Sequence, residues 1–298
     1  MMELINKYAK EIAGKLGEGL EALILVGSFS RGEGVEGVSD IEFWAVVKDL
    51  SAVKKPELAG NLSLGLTTRN HLKRLKPYIY TVEVKKFGKV LSGDKDILKL
   101  IPDYSYADIK PIDGFILLNN RIVEQLILLS KINDGQTINQ YDFDKGYIQL
   151  VNSLLVLNRR YKSLYPEKQE EFKKIDSSAA SLPQNDKDDG LLNKIEEAFA
   201  SINNQRSGIA SAPTVPRNDV NREETLKKWL ELREYFKKVW VDEKKFIGNL
   251  MCLIKVLNSG KPIRFFVYQK SVGLYFSEEY QNKTKRDNVI KNWKRFVK

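Results

Sequence analysis

Two acidic residues separated by one, Asp40 and Glu42, open an apolar run, and a glycine-serine pair, Gly27-Ser28, closes an earlier apolar run with eleven residues between the pair and Asp40. Alternate residues of a strand share a face, so both carboxylates would stand side by side while Ile41 and Phe43 turn into the core. Two such charges roughly 6–7 Å apart repel by about 2–3 kcal/mol at an effective dielectric of about 20, a cost that a divalent cation removes. Hard oxygen ligands with positions left open favour Mg2+ or Mn2+. The Gly27-Ser28 turn offers backbone N–H groups and a hydroxyl, a cradle for phosphate oxygens. Arg31 can fork onto outer phosphates, and Gly32 and Gly34 let the chain approach a ligand closely. Each piece alone has a plainer reading, an ordinary turn or a solvated strand edge.

The elements that must hold these residues are legible from periodicity. Residues 3–17 repeat apolar positions at helical spacing, and Ala22–Val26 is a short, wholly apolar run suited to a central strand. Ile41–Val47 and Leu62–Thr67 read as further strands, with a short basic turn or helix over Asn70–Lys76. Tyr78–Lys85, rich in Tyr, Ile, Thr and Val, is predicted as a fourth strand, followed by a compact glycine turn in FGKVLSGD. After Asp113 the pattern becomes helical, over 114–132, 143–164, 191–205, 221–240 and 243–258, with Pro166 placed to open a short helix. Segments 176–190 and 207–217 read as loops. Residues 264–276 fit strand or helix equally, and a basic helix is expected over about 285–297.

The succession Val26, Gly27-Ser28, spacer, Asp40-Ile41-Glu42-Phe43 resembles the signature of the DNA-polymerase-β-like nucleotidyltransferase superfamily, and Gly27 through Glu33 resembles its minimal and aminoglycoside-modifying branch. The resemblance spans about residues 20–100 and implies an α+β fold: a mixed palm-type sheet with helices, followed by an all-helical domain. The domains are drawn at 1–105 and 106–298. The family carries a third carboxylate on a later strand. The matching position is Glu83, whose alternative is an edge-strand glutamate paired with Lys85 or Lys86; Gly88, Leu91 and Gly93 match a following family segment. A helical-domain lysine near the triphosphate is matched by Lys145, with Tyr147 and Asn152 as further candidates on that helix. What this implies is transfer of a nucleoside monophosphate from an NTP to an acceptor hydroxyl, with pyrophosphate released. Asp40, Glu42 and Glu83 would serve as catalytic and metal-holding residues, and Gly27, Ser28, Arg31 and Lys145 as nucleotide contacts. The alternative is an inactive protein of this fold that binds nucleic acid or nucleotide in a regulatory role. The acceptor is left open among small molecule, RNA and protein, and a homodimer is allowed.

Composition bounds these readings. The single histidine, His71, excludes histidine-based zinc clusters. The single cysteine, Cys252, excludes an intrachain disulfide and points to a reducing cytosol. No run of eighteen apolar residues suggests a membrane span, and the first twenty residues read as an amphipathic helix rather than a secretory signal. The net charge is +10, and residues 221–298 carry all of it, with 19 Lys or Arg against 9 Asp or Glu. Such a field draws polyanions, although a solvated lysine-rich face has the same composition.

Overall fold

The computed structural model describes residues 1–37, 39–58, 62–177, 189–206, 223–237 and 270–296. The chain divides into two compact units, Met1–Ile109 and Lys110–Lys298.

The first unit runs α1 (Met2–Leu16), β1 (Leu20–Val26), α2 (Gly27–Ser30), β2 (Ile41–Val47), β3 (Leu62–Thr67), α3 (Arg69–Leu72), α4 (Ile79–Phe87) and β4 (Lys89–Gly93). Its sheet has the order β3-β2-β1-β4. β1 pairs antiparallel with β2 and β4, while β3 runs parallel to β2, so the sheet is mixed. The apolar run of β1 reflects its central place, because both of its faces are covered. Leu23 and Leu25 join Ile41, Phe43, Ala45 and the α1 residues Ile5, Ala9 and Ile12 in one core. Ala22, Ile24 and Val26 join Val46, Leu72, Val84 and Ile97 in the other, with Trp44 packed against it. Ile41 and Phe43 therefore turn inward toward α1, as the alternation predicts, and Glu42 and Trp44 take the opposite face, the one that holds Val84 of α4.

Two expectations are corrected. The segment read as a fourth strand, Tyr78–Lys85, lies mostly in helix α4. Extended Tyr78 opens it, Lys85 and Lys86 sit in its last turn, where cations suit the helix dipole, and Gly88 donates its N–H to the Val84 carbonyl. The sequence read as a glycine turn contains the actual fourth strand, β4, paired with β1 from Ala22↔Gly93 to Leu25↔Lys89.

In the second unit every regular element among the described residues is helical: α5 (Pro111–Asn133), α6 (Gln140–Leu157), α7 (Tyr165–Ser177), α8 (Asp189–Arg206), α9 (223–237), α10 (270–276) and α11 (Lys283–Phe296). A mixed sheet followed by helices makes the fold α+β. Pro111 opens α5, and Asn139 and Asp142 cap α6 reciprocally. Gly146 sets the approach of α9 to α6, since a Cβ there would meet Leu232 Cδ2 at 2.6 Å. Trp229, fully buried, donates its indole N–H to the Gln125 carbonyl at 2.9 Å. The open segment 264–276 is helical over 270–276; its remainder, the helix expected over 243–258, Cys252 and loop 207–217 lie outside the described residues. Among the described residues no helix is long and apolar enough to cross a membrane.

Candidate active site

At the end of β1 the backbone of Gly27 takes φ 71°, and α2 begins there. Antiparallel pairing sets Val26 opposite Glu42, which lays the Glu42 carboxylate against Gly27. A Cβ on residue 27 would fall 1.8 Å from Glu42 Oε2. Glycine is thus required twice, once for the left-handed backbone and once for the space. Ser30 donates its hydroxyl to the Gly27 carbonyl at 2.8 Å, and the Glu33 N–H donates to the Ser28 carbonyl at 2.8 Å. These bonds fix the turn. The Ser28 side chain is half-buried, and its hydroxyl bonds no other described residue. Asp40 is exposed immediately before β2, and Glu42 is half-buried within it.

Arg31 is held by two carboxylates. Its Nε donates to Glu33 Oε2 at 3.1 Å and its Nη1 to Glu83 Oε2 at 2.8 Å. The side-chain exposures are 10% for Arg31, 1% for Glu33 and 14% for Glu83. A carboxylate so withdrawn from water needs a cation beside it, and Arg31 supplies that charge to both. Glu83 therefore reaches the neighbourhood from a helix, through Arg31, and not from a strand beside the acidic pair. Among the described residues no three His, Cys, Asp or Glu side chains converge as a metal-holding group.

Tyr80 belongs to this neighbourhood and escaped the sequence reading. Its ring meets Trp44 edge to face at 4.8 Å. Burial, then the charges of Glu42 and Glu83, push its phenol well above the ordinary value of 10.0, so it keeps its proton. The residue as a whole keeps 39% of its surface exposed, with the ring packed against Trp44. Tyr80 and Glu83 stand at i and i+3 on a helix, which shares a face between them. A helical reading of YIYTVEVKKF would have exposed the pair. His71, the only histidine, is exposed and has its ring Nδ1 3.3 Å from Thr67 Oγ1. Lys145 is exposed on α6 of the second unit, and Tyr147 is buried two residues on.

What the arrangement offers is a turn with an available hydroxyl, a carboxylate packed against that turn, a second acid at the strand mouth, and an Arg-Glu-Glu cluster beside a protonated tyrosine. Neither a protein-family model nor a curated protein matches this chain. Among solved structures the chain is similar to spectinomycin adenyltransferase AAD(9) from Enterococcus faecialis, determined with ATP and spectinomycin. The two share 17% identity over 68% of this chain and 99% of that one, at a TM-score of 0.30. A likeness at that TM-score transfers no residue from one chain to the other.

Proposed function

We propose that the chain transfers a nucleoside monophosphate from a nucleoside triphosphate to an acceptor hydroxyl, releasing pyrophosphate with the help of a divalent cation. The observation that carries this reading is the fit of Glu42 against Gly27: the carboxylate lies where any side chain on residue 27 would stand, so the strand-end turn and the acid are held side by side. The left-handed Gly27 followed by helical Ser28 sets consecutive amides for an anion, the geometry of a backbone nest. The Ser28 hydroxyl adds a donor.

Asp40 and Glu42 suit one hard divalent ion, which commonly takes one or two carboxylates and completes its shell with phosphate oxygens and water. Such an ion, when bound, neutralises charge that develops on the phosphoryl oxygens. A three-carboxylate arrangement holding two ions does not fit, since Glu83 is tied to Arg31 and no third acid among the described residues joins the pair. Glu83 is assigned instead as the base. The acceptor oxygen forms its bond to the α-phosphorus, the bond to the bridging oxygen breaks, pyrophosphate leaves, and the acceptor proton passes to Glu83. Protonated Tyr80 can donate to a substrate oxygen.

The pairing of Arg31 with Glu33 and Glu83 favours a second reading, an inactive protein of this fold that binds nucleotide or nucleic acid in a regulatory role. Titration with each of the four nucleoside triphosphates, with and without Mg2+, followed by pyrophosphate release with hydroxyl-bearing acceptors, separates the two. The transfer reading expects metal-dependent binding that Asp40→Ala and Glu42→Ala abolish. Triphosphate binding equal in wild type and both variants, with no pyrophosphate from any acceptor, would leave the regulatory reading standing.

A further inference from the structure

A cavity of about 350 Å³ opens between three helices of the second unit, within the range that small metabolites fill. Phe143, Asp144 and Tyr147 of α6 form its buried floor, at 4%, 3% and 5% exposure. Ser201 of α8 and Glu231 of α9 line its walls.

The charges around this cleft do not cancel. Asp144 Oδ2 accepts from the Ser201 hydroxyl at 2.6 Å and Oδ1 from the Gln140 amide at 2.9 Å, both neutral donors. Its carboxyl is pushed up by burial first, with Glu197 adding to the rise and Lys228 opposing it. The two lysines at the cleft are already engaged, Lys194 with Glu197 at 3.6 Å and Lys228 with Glu224 at 3.2 Å. Glu231 forms no ion pair among the described residues. The Tyr147 hydroxyl likewise bonds no described residue, although the side chain is buried and lies in the field of Glu231, Asp144 and Glu197. The hydroxyl lies at the cleft, where a ligand could meet it.

We propose that this cleft binds a small organic cation, a molecule of metabolite size with a primary ammonium or guanidinium group. The ammonium would take Asp144 and Glu231 as its acceptors and the Tyr147 hydroxyl as a third. The Phe143 and Tyr147 rings line the same floor and offer faces that attract a cation. The carboxylates are spread around the walls and do not converge on a point, which suits an extended organic ion better than a bare metal. This assignment uses the second unit alone and needs nothing from the transfer reading.

The test is calorimetric titration of the full chain with agmatine, 1,4-diaminobutane, the neutral 1,4-butanediol and MgCl2. Saturable binding of at least one amine and none of the diol is expected, weakened about tenfold or more by Glu231→Gln and by Asp144→Asn, as loss of a charged hydrogen bond implies. Tyr147→Phe should weaken it less, and Asp40→Ala should leave it unchanged. The proposal falls if neither amine saturates, if diol or Mg2+ binds as well as the amines, or if Glu231→Gln, on the wall and away from the packed floor, binds them as the wild type does.

Discussion

Gly27 and Arg31 show how much of the candidate site depends on single side chains. Gly27→Ala would force a Cβ into a left-handed residue, costing roughly 1–2 kcal/mol, and into the space of the Glu42 carboxylate. Urea unfolding should register that modest loss. Triphosphate affinity should fall by more than the stability change accounts for, because Glu42 must move. A variant that unfolds earlier yet binds triphosphate as well as wild type would separate the turn from the site. Arg31→Met removes the cation from two withdrawn carboxylates, and breaking a buried pair from one side costs on the order of 3–5 kcal/mol. Chemical denaturation should show a loss of that order, with part recovered when Glu33→Gln is added, since the double variant strands one charge fewer. Loss without recovery would mean that Arg31 acts through other neighbours.

At the scale of elements, β1 and β2 were legible because each carries a pattern with one physical reading. An unbroken apolar run means a strand covered on both faces, and alternation after Asp40 means Ile41 and Phe43 inward. The segment from Tyr78 to Gly93 was not legible. Its β-branched and aromatic residues favour a strand by propensity, but propensity yields to packing. Val84 joins the core beside Ile24, and Lys89–Gly93 takes the sheet position instead. Glu83 thus stands on a helix and not on the expected strand, where it meets Arg31, and Tyr80 was missed because a strand would have put it on the opposite face. Helices α6 and α8 meet through Asp144 and Ser201, and this junction has a pH signature. Folding raises the Asp144 pKa, so between its folded value and the ordinary 3.8 the folded carboxyl keeps a proton that the unfolded chain has released. Its contribution to stability is therefore fullest below 3.8 and is lost as pH rises through the folded value. Ser201, Gln140, Glu197 and Lys228 face that carboxyl. Melting temperatures of wild type and Asp144→Asn across pH 4 to 8 should show the balance moving in the variant's favour as pH rises. Movement the other way would show that folding favours the ionised form.

At the scale of the whole chain, charge is unevenly distributed along the sequence. All of the +10 excess belongs to residues 221–298. Within that stretch α11 turns Val289, Trp293 and the Arg286 guanidinium inward and leaves Lys285, Lys291, Lys294 and Arg295 exposed. Arg286 is held by the Tyr280 carbonyl at 2.7 Å and the Ser130 hydroxyl at 3.2 Å, so it anchors the helix and is not part of the outward charge. A face of this kind binds polyanions by releasing their counterions, so affinity falls linearly in log salt. The full chain should be retained by a single-stranded RNA column at low salt and released steeply as salt rises. Lys291→Glu, Lys294→Glu and Arg295→Glu together should flatten that dependence, by roughly one unit of slope for each phosphate the protein ceases to neutralise. Asp40→Ala should leave the retention unchanged while abolishing metal-dependent triphosphate binding, since the two would draw on different charges. If Asp40→Ala instead alters RNA retention and the triple variant does not, the polyanion is held at the Gly27–Glu42 turn, and the basic quarter is a solvated surface.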